Sequence, residues 1–161
     1  MSLSNSHPIF GTCGSNRFEI EKAIIQIQLV SGRYLLEMSS RFFTPENRLG
    51  MCSLPLCKGT DQAHEGDLVN FLLTCPSLSN ERTSMWHQID QFCSINPSLS
   101  HVVNRCLAED QTQFLVDCSV MAPVILAVQE IGDNILGYLF KMTRNFCFSL
   151  HKRRLKLISE K

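Results

Sequence analysis

The chain has 161 residues, 44% of them apolar and 19% charged, which suits one domain with a real core and excludes a chain disordered throughout. Fifteen Lys and Arg cancel fifteen Asp and Glu, so no overall field selects nucleic acid or an acidic partner. The longest apolar run, 120–128 with Pro123 inside it, is far short of the roughly 18 to 20 residues a membrane span takes.

No apolar stretch behind a basic start marks a secreted chain. A cytoplasmic or nuclear setting is therefore expected, with the eight Cys as reduced thiols. Those at 13, 93, 106, 118 and 147 are scattered and read as small buried apolar residues.

Residues 1–15 are rich in Ser, Asn and Gly and read as a flexible arm ahead of a single helical domain, 16–161. From Arg17, the residues Phe18, Ile20, Ala23, Ile24, Ile27, Val30, Tyr34, Leu35, Met38 and Phe42 keep a helical period, with Ser15 or Asn16 as N-cap. Gly32 is the point where this helix bends or divides, and Pro45, Asn47 and Gly50 stop it.

Segment 67–75 places Leu68, Phe71, Leu72 and Cys75 on one helical face and ends at Pro76. Ser77 or Ser79 then caps a helix whose apolar positions are Met85, Trp86, Ile89, Phe92 and Cys93. Two short stretches follow, about 99–107 and 111–118. The region 122–160 carries Val124, Val128, Ile131, Ile135, Leu139, Met142, Phe146 and Leu150 at steps of three and four, which predicts a long amphipathic helix with Gly132 and Gly137 as kink positions. No period-two alternation appears, so the expected fold class is all-α.

Between the first two helices, segment 44–76 reads as a zinc knuckle. Cys52 and Cys57 precede a short amphipathic turn that ends in Cys75, and closely spaced thiolates before a third are the usual ligand pattern of small zinc sites. A knuckle of this form wants a His on the turn before the last Cys, and that turn carries Asn70. The amide oxygen of Asn is a neutral, hard donor that zinc accepts poorly. His64, in the intervening loop, is the replacement candidate, which makes Cys52, Cys57, Cys75 and His64 the expected metal set. The alternative is a zinc-free loop packed by Leu54, Leu56 and Leu72.

The ordered set Gly14-Ser15-Asn16, Ser31-Gly32-Arg33-Tyr34, Cys52-x4-Cys57, Asp67-Leu68-Val69, Phe71-Leu72-Leu73-x-Cys75-Pro76 and Arg82 resembles the region downstream of the polymerase in LINE-type, non-LTR retrotransposon reverse transcriptases. The tail from Leu139 to Arg154 looks like the end of such polyproteins. The resemblance implies a CCHC zinc module in a protein acting on RNA and DNA, with Cys52, Cys57 and Cys75 as thiolate ligands and Asn70 at the position of the family's His. It also implies that the chain is a C-terminal piece separated from its polymerase.

From Lys141 onward there are seven Lys or Arg against one acid, Glu160. Lys141, Arg144, Lys152, Arg153, Arg154 and Lys156 are therefore candidate contacts to RNA or DNA phosphates, or a solvated helix end whose cations suit the negative end of the helix dipole. Phosphate loops, zincin His-Glu spacings and nucleophile motifs do not occur, so no catalytic residue is expected. Cys147 and His151 share a helical face, and Cys75 with His87 is the other drawable pair; packing and surface roles are the expectation for all four. The rival to a nucleic-acid role is a small interaction module whose C-terminal helix docks a partner or a second copy through an exposed apolar face.

Overall fold

The computed structural model describes residues 9, 14–36, 50–58, 65–121, 123 and 132–160. Within these the protein is all-α, with helices α1 (Arg17–Val30), α2 (Pro55–Lys58), α3 (Ser79–Ile95), α4 (Pro97–Val116) and α5 (Gly132–Ser159). A π-helical turn at Asn70–Thr74 and 3-10 turns at Pro76–Leu78 and Cys118–Met121 join them. The one extended pairing among the described residues is an isolated bridge between Met51 and Glu65. None of the described helices is long and apolar enough to cross a membrane.

Asn16 begins α1 as expected, its side-chain oxygen accepting from the Glu19 amide. The helix ends at Val30 and does not run on through Tyr34 and Leu35. The Gly32 amide donates to the Leu29 carbonyl and the Arg33 amide to Gln28, with Gly32 at φ 67°. This pair of bonds is the Schellman stop, which needs a left-handed residue after the C-cap, and Gly occupies that conformation without a Cβ clash. Met38 and Phe42 lie outside the described residues.

The cap expected at Ser77 or Ser79 is replaced. Leu78 is the N-cap of α3 and makes no side-chain cap bond; the 3-10 turn leads the chain into the helix, and the Ser77 hydroxyl accepts from the Leu56 amide instead. The two stretches expected over 99–118 form α4, broken at Asp110 (φ −154°, ψ 88°). The Asp110 carboxylate accepts from the Gln113 amide and so caps the second part.

Helix α5 runs as one piece from Gly132 past Gly137, without a break at Gly137; the residues before Gly132 lie outside the described residues. It packs against α1, α3 and α4. Leu139, Phe140, Met142, Phe146, Cys147 and Leu150 are buried there, and each large apolar side chain so buried stabilises the fold by about 1.5–3 kcal/mol relative to exposure. Phe92 stacks on Tyr138 at 4.8 Å, and Phe18 meets Phe148 edge-on at 5.2 Å. The apolar face that would dock a partner along α5 is thus covered from Leu139 to Leu150; Val124, Val128 and Ile131 lie outside the described residues.

Helix α1 departs from its expected stripe. Lys22 and Gln26 are buried while Ile20 and Ile24 face outward, because polar partners await the polar side chains inside. Gln26 Nε2 donates to the Val116 carbonyl at 3.0 Å, and Lys22 Nζ donates to Glu19 and to Asn145 of α5. Ile9, in the expected arm, is buried and its carbonyl accepts from Arg144 Nη2.

Candidate metal centre

Cys52, Cys57 and Cys75 come together, all buried. Each arrives on its own support. Cys52 follows the Met51–Glu65 bridge, which the Gly66 amide extends by donating to the Gly50 carbonyl at 2.7 Å. Cys57 lies in α2, where its amide and that of Lys58 donate to the Leu54 carbonyl, and the Ser77 hydroxyl anchors the same turn through Leu56.

Cys75 follows the π-helical turn, its amide donating five residues back to the Asn70 carbonyl at 2.8 Å. Such a turn carries one residue more than an α-helical turn and re-aims the side chain that follows it. The loop therefore has its own hydrogen bonds, as well as packing by Leu54 and Leu72, both fully buried. Leu56, expected to pack there, is 58% exposed, because α2 turns it away from the Cys57 side.

The Cys57 and Cys75 sulfurs are 3.4 Å apart and those of Cys52 and Cys75 4.0 Å apart, with all three within 4.8 Å of one another. A tetrahedral zinc with Zn–S bonds of about 2.3 Å spaces its sulfurs by about 3.8 Å, and the two close separations bracket that value. Among the described residues this is the one cluster of three or more His, Cys, Asp or Glu side chains able to hold a metal ion. His64, the expected fourth ligand, lies outside the described residues; the residue after it, Glu65, bridges to Met51 beside Cys52.

The three thiols are not equivalent. The Cys52 thiol bonds to the Cys75 sulfur, which holds Cys75 below the usual thiol range. That same bond, together with burial, pushes Cys52 well up.

Asn70 is buried on the turn and lines a small cavity with Cys52, Cys75, Asp67 and Arg154. Its amide donates to Asp67 Oδ1 at 2.7 Å and its Nδ2 to the Thr74 hydroxyl at 3.4 Å. Asn70 thus lines the same small cavity as two of the three thiols.

Sequence reasoning missed Arg82 as a member of this centre. It falls on the inward face of α3 with Met85 and Ile89, where a charge at an apolar position was the available signal. It is only 8% exposed, and Nη2 donates to the Cys75 carbonyl.

The six expected phosphate contacts separate. Arg144 is 1% exposed and leaves the surface set: its Nε donates to Gln26 Oε1 and its Nη2 to the Ile9 carbonyl. Arg153 Nε faces Glu81 at 3.9 Å, and Arg154 lies over the Tyr34 ring. Lys141, Lys152 and Lys156 are exposed. At about 100° per residue they fall within roughly 60° of one another around α5, on a single face.

Cys147 is fully buried, its Sγ donating to the Leu115 carbonyl and its thiol pushed up to about 12 by burial. His151 Nδ1 is 2.9 Å from the Tyr34 hydroxyl. Burial likewise lifts Cys118 to about 12. His87 is exposed and bonds Gln91, whereas Cys75 is buried. In comparisons with protein-family models, curated proteins and solved structures, the chain has no match.

Proposed function

We propose that the chain is a non-catalytic helical module that binds one zinc ion through Cys52, Cys57 and Cys75 and contacts nucleic acid through Lys141, Lys152 and Lys156. The observation that carries the metal reading is the convergence of three buried sulfurs, from three separate supports, at separations that suit a tetrahedral thiolate site. With three thiolates the ion takes one further ligand, and His64 or Asn70 is the protein group for that place. A zinc held there tethers the loop around α2 and the π-helical turn to the start of α3, so metal binding stabilises the folded chain.

The same reading makes the chain a piece of the region that follows the polymerase in a non-LTR retrotransposon reverse transcriptase. That origin rests on the order of its motifs from Gly14 to Arg154.

Metal analysis of protein purified without chelator tests the site. About one zinc per chain is expected, lost in Cys57→Ser and in Cys75→Ser, and retention in His64→Ala assigns the fourth place to another group. Wild-type protein without stoichiometric zinc, whose melting temperature zinc does not raise, overturns the reading.

A further inference from the structure

Arg82 is a buried cation whose described surroundings leave it incomplete. Its Nη2 donates to the Cys75 carbonyl, a neutral acceptor, while Nη1 is buried with no hydrogen-bond partner among the described residues. No described carboxylate lies within ion-pair distance of it. The ionisable neighbours whose fields reach it are Cys75, Glu81 and Cys57.

A guanidinium cannot shed its proton to escape burial, and an uncompensated buried charge is costly. Three neutral thiols do nothing to compensate it.

Resting on the zinc reading above, we infer that Arg82 is the built-in counter-charge of the thiolate centre. Zinc with three thiolates and one neutral ligand carries a net charge of minus one, which the guanidinium bonded to the Cys75 carbonyl offsets, while the neighbouring Glu81 carboxylate faces Arg153. Arg82 thus favours the charged, metal-loaded state over the state with protonated thiols. Its bond to the Cys75 carbonyl fixes the backbone that presents the thiol of Cys75. Arg82 acts through the cysteines and need not touch the metal. The same chemistry makes the site selective: an ion that leaves a tris-thiolate complex anionic gains from Arg82, and one whose complex is already neutral gains less.

The test is zinc affinity, by competition against a chromophoric chelator, for wild type, Arg82→Met and Arg82→Lys, with the melting temperature of each metal-free protein measured alongside. Removing groups that support metal ligands weakens affinity by roughly 10- to 100-fold, and a loss of that size is expected in Arg82→Met. Arg82→Lys, which keeps the charge, is expected to recover most of it even if both variants lower the metal-free melting temperature alike. Wild-type affinity in Arg82→Met overturns the inference and leaves the zinc reading standing. Equal weakening in Met and Lys variants also overturns it, assigning Arg82 a packing role alone. Absence of zinc binding in wild type overturns the zinc reading and this inference with it.

Discussion

Arg144 of α5 donates through Nε to Gln26 Oε1 of α1 at 3.3 Å, and both side chains are buried. Gln26 passes the connection on to the Val116 carbonyl, and Arg144 to that of Ile9. One polar chain therefore ties α1, α4, α5 and the residue Ile9 together inside the core.

Cutting that chain destabilises the protein. Arg144→Met removes a donor from the Gln26 side-chain oxygen and one from the Ile9 carbonyl, and a destabilisation of about 1–3 kcal/mol or more is expected, the cost of leaving one buried group unpaired. Urea unfolding measures it. In a double-mutant cycle with Gln26→Leu the two effects are expected to fall short of adding, because both variants break the same bond.

The lysine face of α5 behaves differently. Lys141, Lys152 and Lys156 are exposed, so changing all three to Gln is expected to leave unfolding nearly unaltered and to weaken binding to single-stranded RNA. Each phosphate that a lysine no longer neutralises lowers the salt slope by about 0.7. Fluorescence anisotropy across a salt series decides this; a triple variant with unchanged affinity and slope removes the phosphate role. Arg144→Met, where folded, is expected to keep the wild-type slope.

Stability should fall in mild acid through His151. In the unfolded chain this ring titrates near about 6.5. In the fold it titrates lower, because burial and then the charges of Arg154 and Lys152 disfavour the imidazolium. Below about pH 6.5 the unfolded state binds more protons, so the contribution is fully present above that pH and is lost as the pH falls towards the folded value. Thermal unfolding at pH 7.5 and 5.5 should show a smaller pH effect in His151→Gln than in wild type. Tyr34→Phe, which removes the hydroxyl facing Nδ1, is expected to cost about 0.5–1.5 kcal/mol at the higher pH.

Asn70→His places an imidazole at a position lining the same small cavity as Cys52 and Cys75. Zinc prefers that nitrogen to an amide oxygen, so an affinity gain of roughly tenfold, about 1.4 kcal/mol, is expected in chelator competition. No gain would mean that another group holds the fourth place.

The sequence by itself determined the helical class, a cap at Ser15 or Asn16, a bend or division at Gly32, two separate stretches over 99–107 and 111–118, and the candidate thiols Cys52, Cys57 and Cys75. These rest on local physics: period, capping, the absence of Cβ in Gly, and the spacing of thiols along the chain. Only the tertiary structure decided that Cys75 approaches the other two thiols over a π-helical turn. It likewise decided that Leu78 opens α3 where a serine cap was expected, and that Arg82, Gln26 and Arg144 face inward while Ile20 and Ile24 face out. Gln26 and Arg144 are buried because partners from distant segments meet them, as Val116 meets Gln26 and Ile9 meets Arg144, and no local pattern of residues records that meeting.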